Sequence, residues 1–423
     1  MKVCIIGAGN VGFQKAYDVL VSTYKHEVCF VNPYPVSKEK IERLVSAVND
    51  ELFHQRRKIA ATQVSQCRSI KDTTADVYWI CIPSTPSADG PTDAMPFETI
   101  VEDLKLTHGT GDYLLINSST TNIGFNAALA KYAFKQPKQK YAYIPERLNT
   151  NYDYHQNHQL KKYIGLHTNT MNRIKSFIEM IYPENTRYVT LQEAELIKLA
   201  DILYRAVNVS FLDEMSMLAH TSKDPVRTVE CIREVMAAHF NPKQPTSGGL
   251  PYPGTGVGGE CIRNAFYFFH RHQRAHSLIG EAKEISELKQ NFIIERIIAK
   301  FIEMEVVADT KIEIYGATFK ANATSLAGST AKAIILRLAY MSRVFYKHNK
   351  CVDLSNHIHV FDPVNQDTPP DAIRGLFKRY YPNQLELKSP RTLRVLLVDH
   401  DVFDIGKHRK TFDLIFAGKY SLP

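Results

Sequence analysis

A chain of 423 residues, 44% of them apolar and 23% charged, is too long for one ordinary core and too apolar for disorder, so two or three globular domains are expected. Its net charge of +8 carries no Lys/Arg run that would form a nucleic-acid stripe, which leaves phosphorylated small molecules as the expected anionic partners. No apolar stretch approaches the roughly 18 residues of a membrane span, and seven scattered cysteines without CxxC spacing point to reduced thiols in a cytoplasmic protein, with no disulfide framework and no metal site.

Residues 2–6, KVCII, read as a buried strand, and the glycines that follow at once argue against a signal peptide. Gly7, Gly9 and Gly12 lead into a helix-like stretch reaching Tyr24, and a second strand follows over residues 27–31. Strand, glycine turn, helix and strand make a βαβ unit. Further strands are expected at 77–82, 113–116 and 141–144, so a doubly wound parallel sheet should fill roughly the first 185 residues. Leu196, Leu199, Ala200, Leu203, Val207, Phe211 and Met215 then recur at helical spacing without Gly or Pro, which predicts one long helix over 191–219. More helix is expected at 225–240 and 278–304. A second α/β region starts at 311–315, with strands at 358–361 and 393–398. The fold class that follows is α/β, two Rossmann-like doubly wound domains joined by a long central helix. Residues 1–185 would bind NAD, residues 186–305 would form a helical dimerisation region, and residues 306–423 would form the second Rossmann-like domain.

Three constellations carry chemistry. In the first, Gly7 permits a tight turn, Gly9 lets the backbone approach a pyrophosphate, and Gly12 lets the helix pack closely on the strand. The amides of Asn10 and Val11 open that helix and face the phosphates. Where the second strand ends, Asn32 stands in place of the Asp or Glu that would bind the ribose hydroxyls. It hydrogen-bonds without charge assistance and tolerates a 2′-phosphate, so NADP stays open beside NAD. The second constellation is PGTGVGGECI, residues 253–262, a backbone able to wrap a ligand with Cys261 at its edge. A reactive cysteine needs a neighbouring cation or helix N-terminus, and Lys198 on the long helix is the candidate; a tight loop with a buried thiol fits the same residues. The third is a set of polar strand ends, Ser84-Thr85, Ser119-Thr120-Thr121 and Glu146-Arg147, at the edge where open α/β sheets bind ligands.

Nine stretches then stand in order: GAGNVG (7–12), STPSADGPTD (84–93), SSTTNIG (118–124), PER (145–147), EAELIKLA (193–200), PGTGVGGECI (253–262), GATFKAN (316–322), FDPV (361–364) and VDHDVF (398–403). Together they resemble the UDP-glucose/GDP-mannose dehydrogenase family over almost the whole chain. The resemblance implies a homodimer and a two-step, NAD-dependent oxidation of a UDP-sugar C6 alcohol to the uronic acid. Cys261 would form a thiohemiacetal and then a thioester, Lys198 would stabilise the oxyanion, Glu146 would serve in general-base work or water activation, and Thr120 would lie near the reacting centre. Ser84, Thr85 and Thr120 would line the cofactor, and Glu146, Arg147, Lys198, Gly258 and Lys320 would contact the nucleotide sugar. Arg147 resembles the branch acting on UDP-N-acetylhexosamines.

Three positions depart from the family's pattern. Ile202 stands where it has Asn, Ala265 where it has Asp, and Ala327 where it has Arg. The first two help to hold the oxyanion and the hydrolytic water, and losing one such donor costs ~10²–10³ in rate. An alternative expectation is therefore a degenerate member that binds dinucleotide and nucleotide sugar with little turnover.

Overall fold

A computed structural model describes every residue except 23, 54–55, 88–89, 110–111, 149–151, 168–171, 240–251, 270–276, 305, 342–343, 347–349, 365–370, 387–388 and 418–423. Two positions of the STPSADGPTD stretch and the last residue of the helix expected over 225–240 fall outside the described residues. The chain divides into two compact units. Unit one is Met1–Ile202 with a short stretch from Tyr267, and unit two is the remainder.

Unit one runs β1 (Lys2–Ile6), α1 (Asn10–Val21), β2 (Glu27–Val31), α2 (Lys38–Leu52), β3 (Val64–Cys67), β4 (Val77–Ile80), α3 (Met95–His108) and β5 (Leu114–Asn117). It continues with α4 (Phe125–Ala133), β6 (Tyr141–Tyr143), α5 (Tyr154–His158), β7 (Lys162–Leu166), α6 (Arg173–Ile181) and β8 (Thr186–Thr190). One eight-stranded sheet results, in the order β3-β2-β1-β4-β5-β6-β7-β8. Strands β1, β2, β4 and β5 are apolar at nearly every position because helices cover both faces, as a parallel sheet requires. The first six strands are parallel and in the dinucleotide-binding order. The expected all-parallel sheet needs one correction. β7 pairs antiparallel with β6, and β8 follows β7, so the last two strands run the other way. β3, β7 and β8 escaped the sequence reading because each carries polar residues within a short run, such as SQ in β3. Helix α6 shows why the flanking helices form. Asn172 accepts the Lys175 N–H at 3.0 Å as N-cap, and Ile174, Phe177, Ile178 and Ile181 make one buried stripe.

Unit two holds most of α7 (Leu191–Ala219), then α8 (Pro225–His239), most of α9 (Glu260–Phe269) and α10 (Leu278–Glu303). After these come β9 (Lys311–Tyr315), α11 (Thr330–Ala339), a hairpin of β10 (Val344–Tyr346) and β11 (Lys350–Val352), β12 (Ile358–Phe361), β13 (Thr392–Leu396), α12 (Ile405–His408) and β14 (Leu414–Ile415). A parallel sheet in the order β12-β9-β13-β14 packs its Ile312, Ile314, Val360 and Val395 against Ile293, Ile297 and Phe301 of α10. The division between units falls inside α7, whose apolar positions sort onto two faces. Leu203, Ala206 and Leu212 are buried, whereas Tyr204, Phe211 and Leu218 are exposed at seven-residue spacing. Among the described residues, no helix is long and apolar enough to cross a membrane.

Candidate active site

At the end of β1 the chain turns over Gly7 with φ +105°, and a Cβ there would lie 2.6 Å from the carbonyl oxygen of Cys81. Only glycine fits. Gly12, in the first turn of α1, abuts the Gly7 carbonyl and leaves no room for a side chain. Gly9 is different. A Cβ there would meet nothing within 4 Å, and as the N-cap of α1 it brings no side chain to the amides of Asn10 and Val11. An open face over uncapped helix amides fits a dinucleotide pyrophosphate. Asn32, just past β2, reaches the same loop; its Oδ1 accepts from Ala8 N–H at 3.5 Å and its Nδ2 donates to the Tyr34 carbonyl at 2.7 Å.

The neighbouring strand ends are stitched together by hydroxyls. Ser84 Oγ donates to the Thr120 carbonyl, Ser119 Oγ to the Ile82 carbonyl at 2.7 Å, and Ser118 Oγ to the Ile144 carbonyl at 2.5 Å. The Thr85 carbonyl accepts the Asp93 N–H at 2.9 Å, closing the turn after β4, while Thr120 stays half-buried. Behind Thr120, the Glu195 carboxylate on α7 accepts the Gly124 N–H at 2.6 Å and the Asn126 N–H at 2.7 Å, capping α4.

Glu146, just past β6, is 3% exposed and enclosed by charge. Lys15 of α1 pairs with its Oε2, and Lys162 of β7 lies 3.2 Å from Oε1. Lys15 also meets Asp18 at 3.3 Å and Tyr182 Oη at 2.9 Å; His158 Nδ1 lies 2.9 Å from Asp18. Two buried ammoniums thus face two buried carboxylates. Burial pushes the Glu146 carboxyl up, but Lys15 and then Lys162 outweigh it and hold the group below its ordinary value. The Glu146 main-chain carbonyl faces another way and accepts from Lys198 Nζ at 2.6 Å. Arg147 pairs with Asp201 on α7 at 3.3 Å.

In unit two, Cys261 is exposed in the first turn of α9. The start of that helix is pinned by Gly328. Its carbonyl accepts the Gly259 N–H at 3.0 Å, and a Cβ on it would fall 2.6 Å from Glu260 N. A Cβ on Gly258 would lie 3.3 Å from Phe319 Cβ, so the cysteine loop packs against the turn that carries Lys320. That turn is held by His400, whose Nδ1 accepts the Asn322 N–H at 3.1 Å; Nε2 then carries the proton, 3.1 Å from Thr318 Oγ1 and 3.4 Å from Asp362 Oδ2. The GATFK, FDPV and VDHD stretches therefore converge at the carboxyl ends of β9, β12 and β13.

Of the residues singled out in the sequence, Gly7, Gly9, Asn10, Val11, Gly12, Asn32, Ser84, Thr85, Thr120, Glu146, Arg147 and Lys198 belong to unit one, at or beside the carboxyl edge of one sheet. Gly258, Cys261 and Lys320 belong to unit two. The NAD-binding domain profile of the UDP-glucose/GDP-mannose dehydrogenase family matches residues 1–185, and that family's central-domain profile matches residues 192–288. The chain belongs to the UDP-glucose/GDP-mannose dehydrogenase family. A relative, the UDP-N-acetyl-D-mannosamine dehydrogenase of Methanococcus aeolicus, is 24% identical over 342 residues, covering 79% of this chain and 75% of its own. The NDP-N-acetyl-D-galactosaminuronic acid dehydrogenase of Ralstonia solanacearum is 22% identical over 350 residues, 79% of each chain. Among solved structures, the UDP-D-ManNAc dehydrogenase of Pyrococcus horikoshii superposes with a TM-score of 0.73 at 17% identity, covering 100% of this chain and 97% of that one. A UDP-glucose dehydrogenase of Pyrobaculum islandicum gives 0.69 at 16% identity, covering 100% and 98%. These two likenesses show the fold.

Two of the departures from the family pattern are visible in space. Ile202 is 1% exposed and Ala265 fully buried, so both positions present hydrocarbon to the core and offer no hydrogen bond. The sequence reading missed Lys15, Asp18 and Lys162. Gln14, Lys15 and Asp18 interrupt the buried stripe of α1 between Phe13 and Val19, and polar residues at core-facing positions were the signal that could have found them.

Proposed function

We propose that this chain is an NAD-dependent nucleotide-sugar 6-dehydrogenase acting on a UDP-N-acetylhexosamine, with Cys261 as its covalent nucleophile. The observation that carries the reading is the line of groups along the carboxyl ends of β1, β4, β5 and β6: open glycine loop, Ser84–Thr120, and Glu146 holding Lys198. The naming of the relatives as UDP-N-acetyl-D-mannosamine dehydrogenases supports the substrate class, as does Arg147. NAD, when bound, accepts the hydride in each of the two oxidations. The glycine loop with Asn10 and Val11 would hold its pyrophosphate and Asn32 a ribose hydroxyl, and Ser84, Thr85 and Thr120 would line the rest of the cofactor. Cys261 Sγ bonds to the aldehyde carbon; after the second oxidation it carries the acyl group as a thioester, and water then releases the acid and the free thiol. The ammonium of Lys198, fixed by the Glu146 carbonyl, balances the oxyanion. Lys320 and Arg147 contact the substrate. Because Lys15 and Lys162 enclose the Glu146 carboxylate and weaken it as a base, the group that position 146 brings to the reaction is its main-chain carbonyl, which orients Lys198. The buried hydrocarbon of Ile202 and Ala265 favours a second reading, a protein that forms the thioester and releases it slowly.

A panel of UDP-sugars followed by NADH absorbance tests the substrate class. UDP-N-acetylhexosamines should be oxidised with two NADH per acid, and preference for UDP-glucose would overturn the assignment. Gly9→Val should preserve the melting temperature, since its side chain points into open space, while lowering NAD affinity at least tenfold by filling the pyrophosphate's place. Unchanged affinity by calorimetry would remove the glycine loop from the cofactor site. The exposed Tyr204, Phe211 and Leu218 stripe of α7 is expected to be covered in a homodimer. Light scattering should give twice the chain mass at micromolar concentration, and Phe211→Asp should return it to the monomer value.

A further inference from the structure

Among the buried charged side chains of unit two that none of the steps above uses are Asp213 and Lys289. Asp213 on α7 is fully buried and Lys289 on α10 is 1% exposed. Lys289 Nζ donates to Ser216 Oγ at 2.6 Å, one turn along α7 from Asp213. The carboxylate points elsewhere. Its Oδ1 accepts the Gly254 N–H at 2.8 Å, while Oδ2 is sealed from solvent without a hydrogen-bond partner among the described residues. Burial lifts the Asp213 carboxyl to about 6, against the opposing pull of Lys289 and the Gly254 amide. Sealing a carboxylate in this way is unfavourable unless a specific contact requires it.

The contact it makes is at the root of the loop that carries Cys261. Gly254 opens that loop and the first turn of α9 closes it. Between them the Thr255 and Thr330 hydroxyls meet at 2.7 Å, the Val257 N–H donates to Ser286 Oγ at 2.8 Å, and the Gly259 N–H ends on the Gly328 carbonyl. Of these four anchors the Asp213 bond alone involves a charged acceptor, and such bonds are about twice as strong as neutral ones. Ser286 lies one turn before Lys289 on α10, so α7 and α10 grip the loop from two helices of the same unit. A backbone of four glycines in seven residues has no stiffness of its own, so the direction of the Cys261 thiol depends on where its ends are tied.

We propose that Asp213 is a positioning residue for Cys261, holding the root of the cysteine loop through the Gly254 amide while Lys289 compensates the buried charge. This rests on the reading of Cys261 as nucleophile, and the test separates the two. Asp213→Ala should lower kcat about tenfold or more with KM within about twofold, whereas Asp213→Asn, which keeps an oxygen for the Gly254 N–H, should recover to within about threefold of wild type. Without substrate, iodoacetamide labelling of Cys261 resolved by peptide mass should change in rate by about fivefold in Asp213→Ala and return in Asp213→Asn, with exposed Cys231 as the internal reference. Should Asp213→Ala fail to fold, Ser286→Ala removes the anchor at Val257 and should shift both readouts in the same direction by a smaller factor. Wild-type labelling and kcat in folded Asp213→Ala would overturn the proposal, and so would an Asn variant no better than Ala or an unaltered Ser286→Ala. If wild type oxidises no nucleotide sugar, the dehydrogenase reading fails and the labelling rates still decide the role of Asp213.

Discussion

Cys261→Ser should abolish acid formation while leaving nucleotide-sugar affinity within about twofold of wild type. The thiol is exposed at the start of α9, so exchanging sulfur for oxygen disturbs no core packing. Serine at neutral pH is a far weaker nucleophile, and removal of a covalent nucleophile costs at least ~10³ in kcat. The wild type offers a second readout. With Ile202 and Ala265 buried as hydrocarbon, no side chain at those positions holds the hydrolytic water, so thioester cleavage should be slow relative to its formation. Intact-protein mass after mixing with substrate and NAD should then show an acyl adduct that Cys261→Ser lacks. A serine variant turning over at the wild-type rate would end the covalent mechanism for this chain.

Lys15→Met should destabilise unit one by about 3–5 kcal/mol, the cost of stripping one partner from a buried charge cluster. Met fills the space but leaves the buried Glu146 and Asp18 carboxylates with Lys162 and His158 as their remaining basic neighbours among the described residues. The effect has a pH signature. In the wild type, burial pushes the Asp18 and Glu146 carboxyls up, but the lysines hold both below their ordinary values. Groups depressed in the folded state stabilise it above their unfolded pKa, about 4, and lose that contribution as pH falls through the folded values. The stability gap between wild type and Lys15→Met should therefore be widest near neutrality and narrow below about pH 4. Trp79 is the one tryptophan of the chain and lies 5.4 Å from Lys15 Nζ, so urea melts followed by its fluorescence report on this unit. A gap that stayed constant across pH would show that Lys15 contributes packing alone.

Most of the backbone was legible beforehand, for physical reasons. Strands buried on both faces announce themselves as apolar runs, which is why β1, β2, β9 and β12 match their expected bounds. The 191–219 helix matches as well, since 29 residues without Gly or Pro leave the chain little alternative. The reversal at β7 was not legible, because strand direction depends on how the chain returns to the sheet and not on hydropathy. At the candidate site, the glycine loop could be read from its spacing between a strand and a helix, since Gly12 abuts the Gly7 carbonyl within the same βα turn. The clamp on Glu146 could not. Lys15 and Lys162 are 131 and 16 residues away along the chain, and nothing in PER discloses that two ammoniums will meet its carboxylate. Asp213 was hidden in the same way, since its partner at Gly254 lies 41 residues on.

The bond between Lys198 and position 146 runs to a main-chain oxygen, which changes what mutagenesis there reports. Replacing Glu146 by Gln or Ala edits the clamp with Lys15 and Lys162 but leaves the acceptor of the Lys198 ammonium in place. A scan of side chains is therefore blind to that contact, and a tolerant position 146 would still hold its lysine. The acceptor is inherited by whatever residue occupies the site. It is lost only when the path of the peptide after β6 is changed, by insertion, deletion or a proline that turns the carbonyl away.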